Sequence, residues 1–201
     1  MFIDIDEYIT TMKNKNKTIR DELMETYNNE VCIKVPWIIM SFNNQINYPK
    51  SLTKTNIYRM NYNINHTNIS KSFKFRPRNK DIDVKCIFKT KYFSDISLKN
   101  NRSHDHYPIN DNNYSNIKII ESITNNNCSY SPKISNLDEK KISNAYLLCY
   151  HFRINSIEHA KDKINSNMWY SDICLDDIIN FDHPDIVDKT LFDKAIIRNY
   201  T

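Results

Sequence analysis

The chain has 201 residues, a net charge of +4, 40% hydrophobic, 26% charged and 12% aromatic residues, which is close to ordinary globular usage and excludes whole-chain disorder despite a mean hydropathy of −0.67. A chain of this length buries roughly 70% of its unfolded surface without needing a disulfide or metal. It contains no glycine, and that removes the phosphate-cradling P-loop, the dinucleotide fingerprint, the kinase glycine-rich loop, the EF-hand loop and the serine-hydrolase nucleophile elbow, all of which need close backbone approach or positive φ.

In chain order, residues 4 to 28 predict an N-terminal amphipathic helix. Ile5, Tyr8, Ile9, Met12, Ile19, Leu23 and Tyr27 form its stripe, and Asp4, Asp6 and Glu7 sit in the first turn, where they favour the helix dipole. The stripe weakens around Lys13 to Lys17, so one frayed helix and two short ones both satisfy it. From Val31 the period becomes two, leading through Val31, Ile33 and Val35 into Trp37-Ile38-Ile39-Met40. The clearest strand is 82 to 93, with Ile82, Val84, Cys86, Phe88, Thr90 and Tyr92 on one face. Its other face, Asp83, Lys85, Ile87, Lys89, Lys91 and Phe93, is mainly cationic, which predicts an antiparallel sheet with one solvated side. Segments 54 to 63, 71 to 76 and 116 to 122 are weaker strands.

Residues 99 to 115 and 124 to 136 are rich in Asn, Ser, Asp and Pro and read as loops. Helices are expected over 136 to 149, 156 to 165, 172 to 179 and 184 to 199, the last with Pro184 in its first turn and Val187, Leu191 and Ala195 on one face. The stretch 146 to 154 reads equally as a strand. The expectation is an α+β fold: an N-terminal helix, a mainly antiparallel sheet in the first half and a helical C-terminal third. One domain over 1–201 is expected, with an alternative boundary in the loops at 99–136 dividing helix plus sheet (1–98) from a helical part (137–201). Without glycine, positive-φ turns fall to Asn and Asp, clustered at Asn43-Asn44, Asp111-Asn112-Asn113 and Asn125-Asn126-Asn127.

Asparagine and isoleucine reach about 30 residues each, the usage of strongly A+T-biased codons. Large A+T-rich DNA viruses and several intracellular parasites share it, so a viral source is one expectation. The acidic start over residues 1 to 7 lacks the basic and apolar stretches of a secretory signal, and no apolar run approaches a membrane-spanning length. The expected location is intracellular, cytoplasmic or nuclear. Five cysteines, at 32, 86, 128, 149 and 174, fit neither a disulfide framework nor a zinc knuckle and read as free thiols.

The charge is uneven. Residues 31 to 80 hold nine basic residues and no acid, interleaved with Trp37, Phe42, Tyr48, Tyr58, Tyr62, Phe73 and Phe75. Cations for phosphate and π-faces for bases are what single-stranded nucleic acid binding requires. The densest piece is Lys71, Phe73, Lys74, Phe75, Arg76, Arg78 and Lys80; on a strand, its aromatics and cations would instead point to opposite faces, one core and one solvated. The C-terminal region is acidic, with Asp172, Asp176, Asp177, Asp182, Asp185, Asp188 and Asp193 offset only by Lys189. Those carboxylates suit a hard cation, a solvated helix face or pairing with the protein's own basic region.

Two further constellations suggest chemistry. His104 and His106 alternate, so on an extended backbone both imidazoles face one way and suit a metal ion, although Pro108 stands where a binuclear hydrolase would carry an acid. Cys149 and His151 form a second alternating pair. The leading expectation is a non-enzymatic binding protein without cofactor, contacting nucleic acid through the basic aromatic segment. A protein-interaction module and a metal-dependent enzyme using His104 and His106 are the alternatives.

Overall fold

The structure is a computed structural model, and it describes residues 1, 3–64, 79–92, 118–128, 133–166, 170 and 172–197. In chain order these residues form β1 (Glu7–Thr11), α1 (Ile19–Glu25), β2 (Cys32–Ser41), α2 (Leu52–Thr55), β3 (Tyr58–Arg59), β4 (Lys80–Phe88) and a short 3-10 turn (Thr90–Tyr92). There follow β5 (Ile119–Glu121), β6 (Lys133–Asn136), α3 (Glu139–Asn144), β7 (Leu147–His151), α4 (Ile157–Ser166), α5 (Leu175–Asn180), β8 (Ile186–Val187) and α6 (Thr190–Ile197). The fold is α+β. It divides into two compact units, one of Met1–Trp37 with Asn79–Cys149 and one of Ile38–Arg78 with Tyr150–Thr201.

In the first unit, β2 pairs antiparallel with β4, Cys32 opposite Phe88 through Pro36 opposite Val84, and parallel with β5, Cys32 opposite Ile119. Antiparallel pairing continues from β4 to β6, with Ile82 opposite Ile134. Residues Cys32 to Trp37 of β2 are all buried, as expected of a strand covered on both faces.

The N-terminal helix expected over 4 to 28 is replaced by a strand, a turn and a short helix. Glu7–Thr11 carries aromatic and β-branched side chains in a row, which favour the pleated backbone. The weakened stripe at Lys13 to Lys17 is the turn between β1 and α1. The helix begins where a capping box starts it: Asp21 N–H donates to Thr18 Oγ1 at 3.1 Å, and Thr18 N–H donates to the Asp21 carboxylate at 2.9 Å.

The acids that looked like helix-dipole partners have another task. Lys85 is 1% exposed, and its ammonium lies 3.0 Å from Asp4 Oδ2 and 3.2 Å from the buried Glu7 carboxylate, with the Trp37 ring 5.8 Å away. Burial pushes Lys85 toward its neutral form, but Glu7 and Asp4 outweigh that and hold its pKa above the usual lysine value. The expectation of a solvated cationic face on β4 therefore fails at Lys85. It fails because Glu7 at the start of β1 and Asp4 just before it supply two carboxylates that pattern alone could not assign to this strand.

In the second unit, β3 pairs antiparallel with the end of β2 (Met40 opposite Arg59) and with β8 (Tyr58 opposite Val187). Phe42, Ile154, Ala160, Ile173 and Ile178 form a buried cluster, with Ile157 and Ile164 of α4 and Leu175 and Ile179 of α5 packed on it. The C-terminal third is helical only in part. β7 occupies 147 to 151, where the continuous run Leu-Leu-Cys-Tyr-His is fully buried, so helix 136 to 149 shrinks to α3, capped by Asp138 accepting from Lys141 N–H at 2.7 Å. Pro184 precedes β8 rather than opening a helix, and Val187 lies in that strand, 52% exposed.

Two of the asparagine clusters do take positive φ: Asn43 at 46°, Asn44 at 57° and Asn125 at 59°, together with Asp81 at 52°. Residues 111–113, the expected strand at 71–76 and most of the proposed loop boundary at 99–136 lie outside the described residues. No helix among the described residues is long and apolar enough to cross a membrane.

Replacing Lys85 with alanine removes the cation that faces the buried Glu7 carboxylate. Urea denaturation of Lys85→Ala is expected to show a loss of about 3–5 kcal/mol, and the double change Glu7→Gln with Lys85→Met a smaller one, because removing both charges removes the desolvation cost with them.

Candidate functional site

The described part of the basic aromatic stretch is used mainly for folding. Lys34 and Arg59 are 2% and 5% exposed, and Trp37, Phe42 and Tyr62 are buried with them. Lys34 Nζ donates to the Lys133 carbonyl at 3.4 Å. Tyr48, the exposed aromatic, is tied to α4: its backbone N–H donates to Glu158 Oε2 at 3.0 Å and its hydroxyl to Asp162 Oδ2 at 2.6 Å. Lys50, Lys54 and Lys80 remain on the surface. Lys80 opens β4 opposite Asn136, while Lys71, Phe73, Lys74, Phe75, Arg76 and Arg78 lie outside the described residues.

Of the weaker metal candidates, His104 and His106 also lie outside the described residues. Cys149 belongs to the first unit and is fully buried; His151 belongs to the second and is 6% exposed. Among the described residues no group of three or more His, Cys, Asp or Glu side chains is placed to hold a metal ion. Three of the thiols are poor nucleophiles as well. Burial pushes Cys149 and Cys128 up, and a hydrogen bond with Cys32 followed by burial does the same to Cys86, so each is held in its unreactive protonated form.

What sequence reading could not single out lies in the second unit, where two aspartates of the acidic run are recruited inward. Asp188 is 8% exposed and accepts from Arg59 Nε at 2.7 Å, from the Tyr150 hydroxyl at 3.1 Å and from Thr190 N–H at 3.1 Å. Burial would raise its pKa, but the Arg59 and Thr190 bonds prevail and hold it below the usual carboxylate value. This is pairing between the acidic run and the basic region, one of the three readings the sequence left open.

Asp182 is the contrasting case. It lines a small recess with Ser41, Phe42, Met60, Arg153, Ile178 and His183, among others, of about 30 Å³, room for one or two water molecules. Ser41 Oγ donates to Asp182 Oδ2 at 2.8 Å and Asn43 N–H to the same oxygen at 2.9 Å. Burial outweighs these bonds and lifts the carboxyl to about 6. The recess thus holds a carboxyl that titrates near neutrality, a hydroxyl already donating to it, an imidazole and a guanidinium. It is too small for an organic substrate, since ligand pockets run to about 300–1,000 Å³.

In comparisons with known proteins, no family model, curated protein or solved structure matches the chain.

Asp188→Asn removes the charge that balances Arg59, and the expected cost is about 3–5 kcal/mol in chemical denaturation at neutral pH. Because the folded-state pKa of Asp188 is depressed, its contribution is present above the ordinary carboxylate range and is lost as pH falls through the folded value. The deficit of Asp188→Asn relative to wild type should therefore narrow in strong acid.

Proposed function

We propose that the protein is a non-enzymatic binding protein that contacts nucleic acid through residues 71 to 80, in the cytoplasm or nucleus. The observation that carries this reading is the charge pattern: Lys71, Lys74, Arg76, Arg78 and Lys80 fall within ten residues, interleaved with Phe73 and Phe75 and with no acid. The burial of Lys34 and Arg59 leaves the remaining positive charge of residues 31 to 80 in this segment and in Lys50 and Lys54. Cations there would hold phosphates and the two phenylalanines would stack on bases, an arrangement tolerant of sequence.

A protein partner is the second reading, and it is favoured by apolar side chains left on the surface of the second unit. Ile46 is 66% exposed, Ile196 56% and Val187 52%. A metal-dependent reaction at His104 and His106 is a third reading, resting on their alternation alone.

Anisotropy titrations with single- and double-stranded DNA and RNA at about 50 and 200 mM salt separate these readings, since phosphate-driven affinity falls steeply over that range. The expected result is salt-sensitive binding, and Lys74→Ala, Arg76→Ala and Arg78→Ala together should lower both the affinity and the salt slope, the latter by about 2–3. Binding that the triple change leaves intact refutes the assignment, and no binding at the lower salt turns the search to a protein partner.

A further inference from the structure

Residues 45–50 of the second unit run as a strap along the start of α4, and they carry an aromatic ring that is fixed in place yet open to water. The Gln45 and Ile46 carbonyls accept from Ile157 and Glu158 N–H at 2.8 and 3.0 Å, and Gln45 Nε2 donates to the Asn47 carbonyl at 3.1 Å. Pro49 keeps the residue before it out of helical backbone. Tyr48 is then tied three ways. Its backbone N–H donates to Glu158 Oε2 at 3.0 Å, its hydroxyl donates to Asp162 Oδ2 at 2.6 Å, and its ring packs on the His159 imidazole with centroids 5.6 Å apart and planes tilted by 38°. With all these contacts made, Tyr48 is still 46% exposed. Lys50 and Lys54 are exposed on the same stretch of chain, and residues 31 to 80 contain no acid.

We infer, resting on the nucleic-acid reading of residues 71 to 80, that Tyr48 is a stacking platform for a base of single-stranded nucleic acid, with Lys50 and Lys54 taking neighbouring phosphates. Stacking on a side chain needs a base already free of its own neighbours, and a single strand offers one without the cost of unpairing. The ring suits that use because its orientation is set before binding by Glu158, Asp162 and His159, so little side-chain freedom is lost when a base arrives. Every base has a π-face, and a platform of this kind tolerates any sequence. The carboxylates of Glu158 and Asp162 repel phosphate, which leaves the ring to the uncharged base and the backbone charge to the two lysines. The strap thereby adds a described contact surface to the segment at 71 to 80 and narrows the ligand to single strands.

Anisotropy titrations of the full chain with labelled oligothymidine of about 16 nucleotides, single-stranded and as a duplex with oligodeoxyadenosine, at about 50 and 200 mM salt test the platform. The single strand is expected to bind more tightly than the duplex. Tyr48→Ala should weaken single-strand binding about 10-fold and leave the salt slope unchanged, while Tyr48→Phe, which keeps the ring, stays within about 2-fold of wild type. Lys50→Ala with Lys54→Ala should lower the slope by about 1.4. Unchanged binding in Tyr48→Ala, a loss in Tyr48→Phe as large as in Tyr48→Ala, or tighter binding of the duplex overturns the proposal, the second outcome assigning the effect to the hydroxyl's hold on Asp162. If Lys74→Ala, Arg76→Ala and Arg78→Ala together weaken binding and Tyr48→Ala does not, the platform alone falls. If the wild type binds neither ligand at the lower salt, both readings fall, and Ile46 and Tyr48 are left to a protein partner. Should Tyr48→Ala not fold, the Tyr48 ring protons are followed by NMR in the wild type. An upfield shift on adding the single strand supports the stack, and an unmoved signal overturns it.

Discussion

A charged side chain taken out of water without an opposite charge beside it destabilises a fold by more than nearby packing can offset. Both units are arranged around that constraint. In the first, Lys85 sits on β4 with 1% exposure, and the carboxylates of Asp4 and Glu7 come from about 80 positions earlier in the chain to meet it. In the second, Arg59 on β3 and Asp188 just after β8 are both below 10% exposed and meet at 2.7 Å. The same requirement reaches α1, where the buried Glu22 receives a bond from the Thr26 hydroxyl and has Lys17 at 3.6 Å. The uneven charge of the sequence is thus partly a record of internal pairing between distant segments.

The absence of glycine imposes a second constraint. Left-handed turns are made by Asn43, Asn44, Asp81 and Asn125, whose Cβ atoms make that conformation less favourable than it would be for glycine. Polar contacts around the turn compensate. At 43 and 44 they come from Ser41 and Asp182, and at 125 the Asn125 N–H returns to the Glu121 carbonyl at 2.9 Å while Glu121 N–H takes the Asn126 carbonyl at 3.1 Å. The turns at 43–44 and at 125 are accordingly tied to particular acceptors.

Asp182 and Asp188, six positions apart, show how the same side chain acquires opposite character. Each is largely withdrawn from water. Asp188 faces a guanidinium and is held ionised, whereas Asp182 receives only neutral donors, a hydroxyl and backbone amides, and is lifted to about 6. A full positive charge at hydrogen-bond distance outweighs desolvation where neutral dipoles do not. Asp188 is thus tied into an ion pair, whereas Asp182 is held only by neutral groups. The segment proposed to meet nucleic acid, 71 to 80, has a separate origin in local charge density.

Residue order alone determined the mixed α+β character, β2 and β4 through their period-two patterns, the short C-terminal helices, and the positive-φ asparagines at 43, 44 and 125, because each depends on neighbours a few positions away. Only the tertiary structure decided that residues 7 to 11 are a strand, since apolar spacing in Ile5, Tyr8, Ile9 and Met12 suits a helix as well, and pairing decides between them. It alone placed Lys85 inside rather than on a solvated face, and it withdrew Trp37, Phe42, Tyr62, Lys34 and Arg59 from the surface suggested by their alternation. It also singled out Asp182 and Asp188 from seven similar aspartates. Burial and charge pairing join residues more than a hundred positions apart, as with Ser41 and Asp182 or Arg59 and Asp188, and a local pattern carries no trace of such partners.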